Sequence, residues 1–148
     1  MTEAERKAEF RRLPILSDYL ATALQDAQYS EADDACSAER EERDTGTIYT
    51  LSDSDFAAAV ADVERFLAAP VSDNGASAGE LLDLIFYDVG STYSTAQAGC
   101  DLWLTRNGHG AGFWDRGLGK AGDLLTEAAA ALGSIDPYFG DDGKFYLS

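Results

Sequence analysis

The sequence has few of the residues on which many functional sites depend. Its 148 residues include one histidine, two cysteines and three prolines. Cys36 and Cys100 are too far apart in sequence to form a CxxC metal or redox motif, so we expect buried free thiols. A lone histidine cannot build a usual zinc site with these two thiols unless carboxylates complete it. We therefore expect no metal site and no cofactor.

Long hydrophobic runs are also missing. The apolar run at 81–87 is interrupted by Asp83 and is too short and too charged to span a bilayer. The N-terminal sequence MTEAERKAEFRRLPIL lacks the apolar segment and the small-residue cleavage site of a secretory signal. These features predict a cytoplasmic protein without membrane contact. The length predicts one domain spanning 1–148.

Positive charge is scarce. Asp and Glu number 27 against 11 Lys and Arg, and the formal net charge is −16. Such a surface repels nucleic acid, so we expect no direct binding to DNA or RNA. One interpretation of the acidity is a partner with a basic surface, which an array of carboxylates can occupy in place of phosphates. The alternative is that the acidity serves solubility or adaptation to high salt.

One stretch of the sequence is the most acidic, and its residues are the candidate binding residues. A partner that presents a basic surface would meet the highest density of negative charge there. The set is Asp26, Glu31, Asp33, Asp34, Glu39, Glu41, Glu42 and Asp44.

Apolar spacing and capping residues predict the secondary structure. Helices are expected at 3–12, 14–27, 53–68 and 78–90, and a further helix from Gly119 to Leu132. The segment 100–115 alternates apolar and polar residues before an Asn-Gly turn, which predicts a β-hairpin, and the 135–148 segment predicts a second one. The fold class is therefore α+β. An acidic helical part at about 1–98 precedes a small antiparallel sheet of hairpins with one further packed helix at about 99–148.

The stretch WLTRNGHGAGFWDRGLG, at 103–119, contains the only histidine and both tryptophans. As a hairpin, its glycines serve the backbone and its aromatic residues Trp103, Phe113 and Trp114 fill the core or anchor a partner. Alternatively it forms a polar catalytic or ligand site. In that case His109 acts as acid or base, Asp115 orients it, and Arg116 is the third candidate catalytic residue. Arg106 and Asn107 would complete that site. Because no HExxH, GxSxG or Walker pattern is present, the hairpin interpretation is favoured and an enzyme is the weaker alternative.

The sequences DLWLTRNGHGAGFWDRGLG and AGDLLTEAAAALGSIDPYFGDDGKFYLS resemble a small family of uncharacterised acidic proteins encoded by bacteriophages and other mobile elements. The resemblance covers 101–148. It implies a phage or mobile-element context, in the cytoplasm of a host cell, and it provides no enzyme activity to transfer to His109 or Asp115. Together with the charge, it favours an inhibitor or DNA mimic of the anti-restriction or anti-CRISPR type, whose partner is a basic, nucleic-acid-binding host protein.

Overall fold

The computed structural model describes residues 1–28, 50–72 and 75–147. These residues form mostly helix with one small antiparallel sheet, which is broadly the expected α+β class. A 3₁₀ helix, Phe113–Asp115, precedes the last α-helix. The α-helices are α1 (Glu3–Arg12), α2 (Leu16–Gln28), α3 (Asp53–Ala68), α4 (Ala78–Phe86), α5 (Thr95–Arg106) and α6 (Lys120–Ala130), and the strands are β1 (Tyr138–Phe139) and β2 (Phe145–Tyr146).

Local capping explains where several helices begin. The Ser52 hydroxyl accepts the backbone N–H of Asp55 at the start of α3. Ser77 and Glu80 form a reciprocal capping box at the start of α4. Because such side chains satisfy backbone donors that a helix leaves open, they mark a boundary in the sequence. The predicted helices at 3–12, 14–27 and 53–68 are confirmed, and α4 is confirmed with an end at Phe86.

The expected hairpin at 100–115 is wrong. Its first half belongs to α5, and its second half holds the 3₁₀ helix. All residues of α5 from Ala98 to Arg106 are buried. A helix that is buried on every side shows no amphipathic stripe, so the helical periodicity was absent from this sequence. The alternation of apolar and polar residues there is the pattern of a strand, and it led to the wrong prediction.

The glycines after α5 serve purposes other than a hairpin turn. Asn107 is the C-cap of α5, and Gly108 follows with φ +71°, the left-handed conformation that commonly ends a helix. Gly112 is needed for space, since a Cβ there would lie 2.3 Å from Thr105 Oγ1.

Helices α2 and α5 form the centre of the core. A Cβ on Gly99 would lie 2.4 Å from the Ile15 carbonyl oxygen, so the two helix backbones approach as closely as only glycine allows. The ring of Tyr19 meets that of Trp103 edge to face, with centroids 5.3 Å apart. Cys100 is a buried free thiol, as expected, and Cys36 lies outside the described residues.

The C-terminal segment folds back onto α3. Within the segment 135–148, strands β1 and β2 pair in antiparallel register, with Tyr138 opposite Tyr146. Phe145 is fully buried. The backbone N–H of Leu147 donates to Asp55 Oδ2 at 3.0 Å. A buried carboxylate on the first turn of α3 therefore holds the end of the hairpin in place.

Candidate functional site

Arg106, the first polar candidate, is a buried part of the core. Its guanidinium donates to the Tyr19 hydroxyl at 2.7 Å, to Asp62 Oδ2 at 2.8 Å and to the Gly133 carbonyl oxygen at 2.8 Å. A further bond, at 3.1 Å, reaches the carbonyl of Leu132. Burial is the main cause that raises the pKa of Tyr19 to about 12. These bonds join α2, α3 and the end of α6 to α5.

Asn107 connects the end of α5 to the chain after α6. Its Nδ2 donates to the Trp103 carbonyl oxygen at 3.0 Å, and its Oδ1 accepts the backbone N–H of Ile135 at 2.8 Å. The side chain therefore satisfies one backbone group at a helix end and one in the segment that leads to β1.

His109 is bonded to Asp26, the one candidate binding residue that the structure describes. His109 Nε2 lies 3.0 Å from Asp26 Oδ2, and the Trp103 indole N–H donates to the same oxygen at 3.0 Å. The side chains of Asp26 and His109 are 16% and 20% exposed. Asp26 thus ties the end of α2 to α5 and to the segment after it. The other seven acidic candidates, from Glu31 to Asp44, lie outside the described residues.

Arg116 belongs to a different cluster, centred on the fully buried carboxylate of Asp101. The guanidinium donates to Asp101 through Nε at 3.0 Å and through its terminal nitrogen at 2.9 Å. Tyr93 and Gln97 also donate to this carboxylate. Burial, with the nearby Asp101 charge as the next cause, raises the pKa of Tyr93. Four donor groups, two of them on the Arg116 cation, therefore satisfy the buried charge.

The polar candidates are therefore not brought together. Among the described residues, Asp115 is exposed and forms no hydrogen bond or ion pair with His109 or Arg116. Trp103 and Phe113 are buried in the core, whereas Trp114 is 51% exposed. Arg116 borders a cleft of about 430 Å³ lined by mainly polar residues, including Ser91, Thr92, Ser94 and Gln97.

The described part of the chain contains no group of three or more His, Cys, Asp or Glu side chains placed to hold a metal ion. None of its helices has both the length and the apolar character that a membrane crossing requires.

Most of the exposed carboxylates in the described residues lie between 75 and 147. Every carboxylate in this range except Asp101 is exposed. Of the four cations in the range, Arg106 and Arg116 are paired with carboxylates, which leaves Lys120 and Lys144. The exposed set is Glu80, Asp83, Asp88, Asp115, Asp123, Glu127, Asp136, Asp141 and Asp142.

This acidic set differs from the charges of the N-terminal helices. On α1, Lys7 pairs with Glu3, and Arg12 pairs with Glu9 and with Glu64 of α3. Within the described residues, no member of the acidic set at 75–147 forms an ion pair. The carboxylates outside ion pairs therefore lie on α4, on α6, on the hairpin and in the connecting segments, with Lys120 and Lys144 as the nearby cations in sequence.

Exposed apolar side chains at the end of α4 were missed by the sequence analysis. Leu84, Tyr87 and Val89 are 72%, 84% and 99% exposed. The available signal was the sequence LLDLIFYDV, which holds more apolar residues than one helix face can bury.

The comparisons with known proteins assign no family to this chain. No protein-family model matches it, and no curated protein and no solved structure matches it either.

Proposed function

We propose that this protein is a non-enzymatic inhibitor, of the kind made by phages and mobile elements, that occupies a basic nucleic-acid-binding surface of a host defence protein. Restriction and CRISPR components are the partners that this chemistry fits. The protein would act by presenting carboxylates where the partner normally binds phosphates.

The observation that carries this proposal is the unpaired acidic set between 75 and 147. Exposed carboxylates outside ion pairs keep more of their charge available for a partner than carboxylates in surface ion pairs, which are partly neutralised. A basic surface would supply the missing counter-charges, and their mutual attraction would speed the encounter of the two proteins.

The contacts of the polar candidates favour binding over catalysis. Arg106, Asn107 and Arg116 are engaged in bonds that hold helix ends and a buried carboxylate. An active site instead requires a base, an orienting group and a reacting group that converge on one point. Arg106 and Arg116 are bound to different carboxylates, Asp62 and Asp101.

Capture of a partner followed by competition with nucleic acid tests the proposal. The protein is immobilised and incubated with bacterial lysate at low and at high salt. The captured protein is then purified and titrated with double-stranded DNA and with RNA. We expect capture that weakens as salt screens the charges, and a complex that nucleic acid displaces.

A pair of charge variants localises the effect. Asp123→Asn with Glu127→Gln removes two unpaired carboxylates from one face of α6. The control, Glu3→Gln with Glu64→Gln, makes the same change of net charge at carboxylates that form ion pairs. We expect the first variant to bind more slowly and with a weaker dependence on salt than the control does.

A third variant covers the acidic run outside the described residues, by replacing Asp33, Asp34, Glu41 and Glu42 with Asn or Gln. Slower association would include this run in the interface, and unchanged kinetics would remove it. A partner that remains bound in the presence of excess nucleic acid, or whose binding does not respond to salt, would contradict the proposed function.

A further inference from the structure

We propose that the end of α4 is a docking surface for a protein segment in which basic residues flank a large apolar side chain. We call this surface the α4 apex and define it as Asp83, Leu84, Tyr87, Asp88 and Val89. The inference rests on the proposed function, because it names the part of the acidic surface that a basic partner would contact most specifically.

The apex exposes apolar side chains that lie outside the packed face of α4. The inner face of α4 is filled by Leu82, which is buried, with Leu81, Ile85 and Phe86 packed beside it against the core. Leu84 lies on the outer side of the helix, and 72% of it is exposed. A partner that covers Leu84 and Val89 removes their apolar surface from water and so gains affinity.

These side chains border a groove. Leu84, Ile85, Asp88 and Val89 line a cleft of about 370 Å³ together with Leu118. Gly90, Ser91, Gly117 and Leu118 are shared with the cleft of about 430 Å³ that borders Arg116. The two clefts are therefore adjoining. Such a groove suits an extended or helical segment with one apolar anchor.

The negative charges at the apex favour a partner segment that carries lysine or arginine. Asp83 and Asp88 are exposed and form no ion pair within the described residues. A second copy of this chain, docked apex to apex, would bring these carboxylates against each other, and like charges at an interface are unfavourable. Lysine or arginine on a partner segment would neutralise them. Hydrophobic anchors rimmed by opposite charges are the usual composition of a specific interface.

A random peptide library displayed on phage supplies the probe. After selection on the intact protein, we expect enriched peptides that carry Lys or Arg beside Leu, Ile, Phe or Trp. Leu84→Ser with Val89→Ser should weaken their binding by about tenfold or more, since tenfold corresponds to only about 1.4 kcal/mol. Asp83→Asn with Asp88→Asn should flatten the salt dependence of binding.

The matched control is Tyr138→Ser on β1, a partly exposed aromatic residue outside the apex. We expect this variant to bind the peptides as the parent does. Thermal unfolding of every variant, followed by circular dichroism, checks that the fold is retained, and amide shifts in NMR spectra should map the peptides to residues 83–91 and 117–118.

Three results would overturn the docking surface. They are enriched peptides without basic residues, peptides that bind all variants equally, and a dimer in sedimentation experiments that Leu84→Ser with Val89→Ser dissociates. The proposed function fails separately: if nucleic acid does not displace the captured partner while the peptides still map to the apex, docking holds and nucleic-acid mimicry does not.

Discussion

Asp101 and Asp88 carry the same side chain in opposite surroundings. Asp101 is fully buried and accepts hydrogen bonds from Tyr93, Gln97 and Arg116. Asp88 is exposed, lies between Tyr87 and Val89, and has no ion-pair partner in the described residues. A buried charge without partners would destabilise the fold, whereas an exposed one is hydrated and remains available for binding. The buried Asp101 therefore stabilises the fold, whereas the exposed Asp88 is available to a binding partner.

The largest expected difference in the free energy of unfolding comes from introducing one charge into the core and one into the α4 apex. Leu125→Asp places an unpaired carboxylate at a fully buried position of α6, and we expect a loss of more than about 4 kcal/mol, enough to unfold the protein. Leu84→Asp makes the same exchange at the α4 apex and should change the free energy of unfolding by less than about 0.5 kcal/mol. Urea unfolding measures both, and equal stabilities would show that the face of α6 is not core.

Removing a charge from each region is the next test. Asp101→Ala leaves Arg116 without its buried partner and should cost about 3 kcal/mol. Asp88→Ala should have an effect near zero, because no described contact is lost. Thermal unfolding measures both variants, and equal melting temperatures would show that Asp101 is not the centre of a stabilising cluster.

Two tyrosines provide a comparison by pH. Burial raises the pKa of Tyr19 to about 12, above its ordinary value of 10. The buried phenol therefore stabilises the fold fully below pH 10. This contribution to the free energy of unfolding, about 3 kcal/mol for a pKa difference of about two, is lost as the pH rises through 12. Unfolding experiments between pH 8 and pH 12 should show a smaller alkaline loss for Tyr19→Phe than for the parent. The exposed-site control, Tyr87→Phe, should keep the loss of the parent.

Substitutions in the glycine-rich segment after α5 give the smallest expected difference in stability between two variants. Gly108 has φ +71° and open space around its Cβ position, so Gly108→Val should cost about 2 kcal/mol through backbone strain alone. His109→Ala removes the contact with Asp26 and should cost about 1 kcal/mol. Melting temperatures of both variants check this order. A reversed order would show that the histidine contact matters more than the end of α5.

Local signals determined how much of this structure could be predicted. Ser52 and Ser77 mark helix starts, and the GDDG sequence marks the turn between β1 and β2, because each acts on neighbouring residues. Helix α5 also begins after a capping serine, Ser94, but it shows no amphipathic stripe, since its burial on all sides depends on α2 and α6. The hydrogen-bond partners of the candidate site residues could not be predicted from the sequence either. Asp26 and His109 are 83 positions apart, and no pattern in the sequence connects them.

The packing of α2 against α5 also bears on how quickly the chain reaches its native state. The hydrogen bond between Arg106 and Tyr19 joins residues 87 positions apart. Each helix can form within about a microsecond, but the pair can meet only after a long loop has closed, and loop closure reduces the entropy of the chain before any contact compensates for it. Refolding should therefore be slower than in a bundle whose neighbouring helices pack in sequence order, with helical content appearing before the fluorescence change of the buried Trp103.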